Sequence, residues 1–297
     1  NLFSSLFKGI TTNAKLILVG DYNQLPSVGA GNILKDLIDC QKIDTIYLDL
    51  LYRQDENSYI NNLAHDIKNG NLSEEFLKTK NDYAFLNCSS DSILDTLKTT
   101  CQRLVEKDID QKRIQLMAPM YAGINGIDNL NKELQKIFNP EDHNKNEIRY
   151  GDIVFRENDK ILQLVNMPDD NVFNGDVGYI KYIIKAANSK SKKNEIYVDY
   201  DGNVVKYLPK DFNKIKHGFI ISIHKSQGSE FDLVIIPICM SYYRMLYRKL
   251  IYTAITRAKK KLIIIGEANA FKYSVDNNNE YIRKTNLCEK LKNMYND

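Results

Sequence analysis

The stretch HKSQGSEFDLVII, residues 224–236, joins a polar cluster directly to a largely apolar run. An apolar run of this length, without regular polar alternation, is typical of a β-strand that is covered on both faces. Three more runs have the same character, namely KLILVGD (15–21), IQLMAP (114–119) and KLIIIG (261–266). Helical patterns lie between these runs, and this alternation predicts an α/β fold built on a parallel sheet.

Composition places the chain among soluble globular proteins. Its 297 residues are 43% hydrophobic and 27% charged, and this length is sufficient for two or three domains. No run of about 18 apolar residues is present, so we predict no membrane partner. The five cysteines are scattered, which favours reduced thiols in a cytoplasmic protein. The chain begins without Met, and we expect it to be part of a longer protein.

The middle of the chain, residues 151–216, has a different pattern. Short alternating runs are separated by Asn-Gly, Asp-Gly and charged turns, and YDGN at 200–203 is a strong hairpin signal. This pattern predicts a small antiparallel β-barrel inserted into the α/β domain. The run KAANSKSKKNE at 185–195 is strongly basic. A solvated hairpin loop is the favoured interpretation of that run.

The run at 15–21 leads into a polar loop with the sequence DYNQLPSVGAG. In open α/β sheets, ligands bind outside the carboxyl ends of the strands, where Asp21 and Gln24 are predicted to project. A glutamine at such a position can orient a water molecule or donate to a phosphate oxygen. The alternative is an ordinary strand followed by a polar loop.

Two arginines are candidates for binding phosphate. Arg53 precedes a helical pattern, and Arg257 lies near a helix end in YTAITRAKKKLIIIG, residues 252–266. An arginine aimed at developing negative charge is a recurring device of phosphoryl transfer. Taken alone, Arg53 would be read as a surface residue, and Arg257 as a cation that is favourable at a helix C-terminus.

Six strings, taken together and in this order, resemble superfamily 1 DNA helicases of the RecD/TraA branch. The strings are GDYNQLPSVGAG, YRQ, MAPMYAGINGIDNLN, NGDVG, HKSQGSEFD and YTAITRAKKKLIIIG. The resemblance implies an α/β fold, in which a RecA-like parallel-sheet helicase domain carries an inserted small SH3-like antiparallel β-barrel. The end of a first RecA-like domain would precede it. It also implies ATP hydrolysis between two RecA-like domains, with translocation from 5′ to 3′ along single-stranded DNA.

The expected domains follow from this resemblance. Residues 1–50 would be the C-terminal part of the first RecA-like domain, and 51–150 and 217–297 the two segments of the second. Residues 151–216 would be the inserted barrel.

The resemblance also implies roles for individual residues. Gln24, Arg53 and Arg257 resemble the catalytic residues that contact the γ-phosphate. Nucleotide binding is implied for four residues: Asp21, Gln227, Gly228 and Glu230. Nucleic-acid binding is implied for five residues: Met120, Tyr121, His224, Lys225 and Ser226.

Two motifs of the resembled family are absent from the sequence. The chain has no G-x-x-x-x-G-K-[ST] string, and it lacks the family's Mg²⁺-binding Asp-Glu pair, which in relatives lies upstream of the string at 20–31. We therefore expect the main ATP and Mg²⁺ ligands to lie upstream, and the chain alone to lack ATPase activity. Its expected partners are single-stranded DNA and the missing N-terminal part of the first RecA-like domain, with subunits of a nuclease complex as a further candidate.

Three alternative functions remain open. The chain would be the helicase portion of a conjugative relaxase if a metal-binding histidine site and a nucleophilic tyrosine lay upstream. A degenerate homologue would bind single-stranded DNA without ATP, although Gln24, Arg53 and Arg257 argue against that reading. A β-barrel adaptor on an α/β scaffold would predict no arginines at a cleft.

Overall fold

A computed structural model describes residues 2–11, 13–27, 29–48, 58–278 and 283–295. The chain divides into two compact units. The smaller unit comprises 1–49 and 281–297, and the larger unit comprises 50–280.

The larger unit contains all twelve described strands. They are β1 (Tyr83–Asn87), β2 (Ile114–Ala118), β3 (Glu147–Tyr150), β4 (Ile153–Arg156), β5 (Lys160–Gln163), β6 (Val177–Ile184), β7 (Glu195–Tyr200), β8 (Asn203–Tyr207), β9 (Ile215–His217), β10 (Ile220–Ser222), β11 (Phe231–Ile238) and β12 (Ala258–Gly266). The described helices of the whole chain are α1 (Leu2–Gly9), α2 (Ile33–Asp39), α3 (Tyr59–Asn69), α4 (Ile93–Glu106), α5 (Ile127–Phe138), α6 (Arg248–Ile255), α7 (Ala268–Asp276) and α8 (Leu287–Met294).

The core of the larger unit is a five-stranded parallel sheet in the order β1-β12-β11-β2-β10. Three of the predicted strands are confirmed, because β2, β11 and β12 occupy the apolar runs at 114–119, 231–238 and 261–266. Leu116, Ile235 and Ile264 are all almost fully buried, as expected for strands covered on both faces. The two outermost strands, β1 and β10, were not predicted. β10 has only three residues, too few to show a clear pattern.

Amphipathic helices pack against this sheet. The predicted helical patterns are confirmed as α3, α4 and α5, and α4 and α5 contribute Leu97, Leu130 and Leu134 to the largest described cluster of buried side chains. Each of these leucines is fully buried. Burial of one such side chain contributes roughly 1.5–3 kcal/mol, so the helices are fixed by tertiary packing rather than by propensity.

An antiparallel sheet of five strands, in the order β8-β7-β6-β5-β9, forms the insertion. The predicted hairpin at 200–203 is confirmed, since β7 and β8 pair across Asp201 and Gly202, which both have positive φ. Such a two-residue turn matches the natural twist of paired strands. The sheet has its own core, which includes Phe155, Ile180 and Val198. The insertion is SH3-like and antiparallel as expected, but β8 and β9 do not pair with each other, so the described strands leave it open.

The smaller unit corrects one strand prediction. Residues 15–21 were expected to form a buried strand, yet they form no strand, and Ile17 and Val19 are 72% and 88% exposed. No described strand pairs with this segment, and an unpaired segment cannot satisfy its backbone groups in a ladder. In the same unit, α2 packs against α8, and Thr285 Oγ1 donates to Asp36 Oδ2 at 2.6 Å.

None of the described helices combines the length and the apolar character that crossing a bilayer requires.

Candidate functional site

Arg257 connects two of the strings that define the candidate site. It lies between α6 and β12 and is only 5% exposed. Its Nη1 donates to the Ser229 carbonyl at 3.0 Å, and its Nε donates to the Thr253 carbonyl at 3.2 Å. The guanidinium therefore fixes the backbone just before β11. Two distant segments, 224–232 and 252–266, meet at this point.

The residues beside Arg257 have the chemistry that a nucleotide requires. Glu230 is partly buried, and its Oε2 lies 3.6 Å from Lys259 Nζ. Gly228 has a φ of +84°, which strains any residue with a Cβ, and a Cβ built there would meet only open space. A ligand can thus approach the backbone of Gly228 closely. Gln227 precedes it and is also partly buried.

A second group of predicted residues meets at the opposite edge of the sheet. Met120 and Tyr121 follow β2, while residues 223–226 follow β10, and these two strands are parallel neighbours. Their carboxyl ends therefore share one edge. Tyr121 remains 43% exposed, and its hydroxyl donates to Ser222 Oγ at 3.4 Å. A cleft of about 850 Å³ begins beside these two residues.

A tight turn shapes the backbone at Met120 and Tyr121. Both carbonyls accept from the first turn of α5, from Ile127 N at 3.0 Å and Asp128 N at 3.1 Å. A Cβ on Gly126 would lie 2.4 Å from the Tyr121 carbonyl oxygen, so only glycine fits there. The turn therefore directs the Tyr121 side chain, rather than its carbonyl, towards solvent.

The polar residues at 224–226 differ in exposure. Burial lowers the pKa of His224 below its ordinary value, which favours a neutral imidazole. Burial also lowers the pKa of Lys225, whose Nζ donates to Asn174 Oδ1 of the insertion. Ser226 is fully buried, and its hydroxyl donates to the Ile223 carbonyl at 2.8 Å. The Ser226 side chain thus stabilises its own turn.

The structure separates residues that are adjacent in the sequence. Residues 223–226 leave the carboxyl end of β10, whereas Ser229 and Glu230 lie at the amino end of β11. Because these strands are parallel, the two ends are at opposite edges of the sheet. The polar cluster at 224–230 therefore does not lie on a single edge of the sheet. The segment instead crosses the sheet and links the two groups.

In the smaller unit, Asp21 and Gln24 lie together. Gln24 Nε2 donates to Asp21 Oδ2 at 3.2 Å, and Asn23 N donates to Asp21 Oδ1 at 2.9 Å. These contacts close a turn that holds the glutamine amide. Arg53, the third candidate catalytic residue, lies outside the described residues, so its role stays a prediction.

Comparisons with known proteins match the same regions. The family model described as "ATP-dependent RecD-like DNA helicase SH3 domain" matches residues 130–200. The model of the "UvrD-like helicase C-terminal domain" matches 217–265, and that of the "AAA domain" matches 2–91. The three matches follow one another along the chain in the order expected from the resemblance.

Relatives match almost the whole chain. The "ATP-dependent RecD2 DNA helicase" of Deinococcus radiodurans is 30% identical over 291 residues, which is 98% of this chain and 38% of that protein. The chain belongs to the RecD-like family of superfamily 1 helicases. The "RecBCD enzyme subunit RecD" of Buchnera aphidicola subsp. Acyrthosiphon pisum is 26% identical, over 95% of this chain and 54% of that protein. The chain therefore spans roughly two fifths to a little over half of these RecD-like relatives.

One solved structure, "Crystal structure of Pif1 helicase from Bacteroides in complex with ADP-AlF3 and ssDNA", aligns with 93% of this chain and 66% of that chain. The sequence identity is 17% and the TM-score is 0.43.

A buried polar cluster, which the sequence did not predict, joins the insertion to the parallel-sheet domain. Asp159 is fully buried and accepts four hydrogen bonds. The donors are Gln135 Nε2 at 2.7 Å, Asn139 Nδ2 at 2.7 Å, Arg156 N at 2.6 Å and His217 Nε2 at 3.2 Å. Gln135 lies in α5 and Asn139 directly follows it, whereas Arg156 lies in the insertion and His217 directly follows it. We call these five residues the Asp159 cluster.

Lys160 adds a second buried link beside this cluster. Its Nζ donates to the Ile114 carbonyl at 2.8 Å, at the start of β2. Burial lowers the pKa of Lys160 to about 7. No sequence motif marked Asp159 or Lys160, since an isolated Asp-Lys pair in a polar turn is an ordinary surface pattern.

The described residues fit ATP better than they fit a metal ion. Gly228, Glu230 and Arg257 combine an approachable backbone, a carboxylate and a guanidinium at one sheet edge. By contrast, no three His, Cys, Asp or Glu side chains among the described residues are grouped so as to hold a metal ion.

Proposed function

We propose that the longer protein containing this chain is an ATP-dependent DNA helicase, which moves 5′ to 3′ along single-stranded DNA and unwinds duplexes. Residues 1–50 supply the end of the first RecA-like domain, and 51–150 and 217–297 supply the second. Residues 151–216 supply the SH3-like insertion. Membership of the RecD-like family and the similarity to the "ATP-dependent RecD2 DNA helicase" of Deinococcus radiodurans support this proposal.

One structural observation supports the proposal most strongly. A single short segment, 223–230, connects the proposed DNA residues at one sheet edge with the proposed nucleotide residues at the other. A motor requires such a link, because the two sites must change each other's state. Arg257 holds this segment by donating a hydrogen bond to the Ser229 carbonyl. A change at the nucleotide side would therefore shift the backbone that ends at Lys225.

The residues divide into three roles. Arg257, together with Arg53, stabilises the negative charge that develops on the transferred phosphoryl group, and Gln24 orients the attacking water. Asp21 holds the Gln24 amide, while Gln227, Gly228 and Glu230 border the nucleotide. Met120, Tyr121, His224, Lys225 and Ser226 form the DNA side. ATP, when bound, supplies the free energy released by hydrolysis of its terminal phosphoanhydride bond. Mg²⁺ is held by residues outside this chain.

ATP turnover is the direct test of this function. We expect the longer protein to release phosphate much faster when single-stranded DNA is added, and the 297-residue chain alone to release almost none. The reason is that the chain lacks the oriented amides and the lysine of a phosphate-binding loop. Stimulated turnover by the chain alone would place the ATP ligands within it. A longer protein without DNA-stimulated turnover would overturn the helicase proposal.

The chain alone is expected to bind single-stranded DNA weakly and without sequence preference. Its contacts are mainly to the phosphate backbone, which positions a strand without reading its bases. The slope of log affinity against log salt should be about −2 to −4, at roughly −0.7 for each phosphate contact. Labelled strands of several sequences, titrated at several salt concentrations, measure this. Strong sequence discrimination, or an affinity that ignores salt, would contradict a helicase track.

The Lys225 side chain offers a matched variant for this binding test. Lys225→Gln removes one cation beside Asn174, so the salt slope should become shallower by about 0.7. Lys107→Gln, at the exposed C-terminal end of α4, is the control and should leave the slope unchanged. Two relatives suggest larger assemblies, namely the "RecBCD enzyme subunit RecD" of Buchnera aphidicola and the "Conjugal transfer protein TraA" of Agrobacterium fabrum. Nuclease-complex subunits are accordingly the proposed further partners of the longer protein.

A further inference from the structure

The outer face of the insertion carries a stacked pair of tyrosines. Tyr182 of β6 and Tyr197 of β7 are directly opposite each other, with ring centroids 4.4 Å apart and planes inclined by 29°. Lys206 of β8 follows on the same face, with its Nζ 5.8 Å from the Tyr197 ring centroid. Tyr182 keeps 39% of its surface exposed. The core of the insertion lies on the other face of these strands, so it does not require this pair.

The connection between β6 and β7 adds positive charge to the same end of the sheet. It carries four exposed lysines and no acidic residue, namely Lys185, Lys190, Lys192 and Lys193. Glu195 follows directly, at the start of β7, but its side chain is only 5% exposed. The lysines therefore present their charge to solvent, whereas the neighbouring carboxylate does not.

Glu195 holds this connection in one conformation. Its carboxylate accepts from Ser189 Oγ and Ser191 Oγ, each at 2.6 Å, and from Tyr197 OH at 2.7 Å. Lys206 Nζ lies 2.9 Å from the same carboxylate. The hydroxyl groups of Ser189 and Ser191, together with Lys206 and Tyr197, hold the pKa of Glu195 well below its usual range. The carboxylate therefore stays ionised and paired.

These contacts change the interpretation of the basic run. A solvated hairpin loop would leave the serines and the glutamate in water, but here the loop is tied to the tyrosine pair through Glu195. Ordering a loop before a ligand arrives lowers the entropy that binding must overcome. Exposed lysines around an exposed aromatic ring match a phosphate backbone with accessible bases.

We propose that Tyr182, Tyr197 and the lysines at 185–193, which we call the tyrosine–lysine face, bind single-stranded nucleic acid. The lysines contact phosphates, and a base stacks on the exposed ring of Tyr182. This face lies on the insertion, outside the residues that the family strings assign to DNA. The inference shares the DNA ligand of the proposed function but does not depend on ATP hydrolysis.

The test uses the whole chain and a labelled thymidine oligonucleotide. Replacing Lys190, Lys192 and Lys193 together with glutamine should weaken binding roughly tenfold or more at low salt, and should reduce the salt slope by about 2. Tyr182→Ala should weaken binding by about fivefold or more, whereas Tyr182→Phe should bind normally, because stacking needs only the ring. All four side chains are exposed, so the variants should fold, as circular dichroism would verify.

A second triple variant controls for net charge. Replacing Lys284, Lys290 and Lys292 with glutamine removes the same charge from exposed positions in and before α8. We call the variant at Lys190, Lys192 and Lys193 the loop variant. The proposal would be overturned if both triple variants weakened oligonucleotide binding equally, or if the loop variant left binding unchanged. If the loop variant weakened the binding of a duplex hairpin but not of a single strand, the ligand of this face would be duplex. That result would also overturn the proposal. If Lys225→Gln weakens binding while the loop variant does not, the helicase track stands without this face.

Discussion

Replacing Arg257 with alanine in the longer protein is expected to lower DNA-stimulated ATP turnover by roughly a thousandfold or more, the contribution typical of an arginine that faces a transferred phosphoryl group. Nucleotide affinity should change much less, since a residue that acts on transition-state charge affects turnover more than ground-state binding. Steady-state phosphate release and equilibrium binding of a fluorescent nucleotide measure the two effects separately.

The hydrogen bonds of Arg257 suggest a second effect of the same substitution. Its guanidinium fixes the Ser229 carbonyl, so alanine should also loosen the segment that leads to Lys225. Arg257→Lys keeps the positive charge but cannot hold Ser229 and Thr253 together, because an ammonium group lacks the planar fork. We therefore expect the lysine variant to be nearly as inactive as the alanine variant, and DNA to stop stimulating whatever turnover remains.

Lys260 provides the matched control for Arg257. It lies three residues further along, in β12, and its exposed Nζ pairs with Asp232 at 3.1 Å. Such surface pairs contribute roughly 0–1 kcal/mol, so Lys260→Ala should leave both turnover and the melting temperature almost unchanged. Near-normal turnover of Arg257→Ala would reduce the role of this arginine to anchoring Ser229 and to favourable charge at a helix end.

Local pattern was sufficient to predict the central strands and the main helices. The run at 233–238 is apolar along its whole length because β11 lies between β12 and β2 in the sheet. The same reasoning failed for 15–21, which is equally apolar. A β-strand requires a neighbouring strand to pair with as well as an apolar pattern. None of the described strands pairs with residues 15–21.

The candidate site shows the same limit. The motif strings identified Arg257 and Glu230, but these two residues and Lys225 lie at opposite edges of the sheet. That separation depends on β10, a strand of only three residues. A sequence pattern does not reveal so short a strand, so residues 224–230 looked like one cluster. The contact between Arg257 and Ser229 was equally hidden, because the two positions are 28 apart in the sequence.

Asp159 is the clearest structural position without a sequence signal. Its donors come from positions 135, 139, 156 and 217, so only the folded chain brings them together. Each donor is buried, and a buried donor without an acceptor costs about 1–3 kcal/mol. The cluster therefore specifies one orientation of the insertion relative to α5, which fixes where the Asn174 side chain meets Lys225.

Replacing Asp159 with alanine is accordingly expected to destabilise the chain by about 3–5 kcal/mol, the usual cost of removing one partner from a buried charged network. Asp159→Asn keeps the shape and one acceptor oxygen, but its amide NH₂ would face N–H donors, which then lack an acceptor. The loss in free energy of unfolding should therefore approach that of the alanine variant. Asp128→Ala is the control. Asp128 is exposed and lies 3.6 Å from Lys216, and its loss should cost less than about 1 kcal/mol. Urea denaturation followed by circular dichroism gives the three values.

Hydrogen exchange then shows where the stability is lost. Because the cluster joins the insertion to α5, Asp159→Ala should reduce amide protection in β5, β6 and β9 more than in β11 and β12. The parallel sheet keeps its own apolar core, which includes Leu116 and Ile235, and should unfold only globally. Equal loss of protection in both sheets would mean that the insertion is part of a single cooperative core. Unchanged protection with an unchanged denaturation midpoint would mean that water replaces the carboxylate, and that the cluster does not fix the insertion.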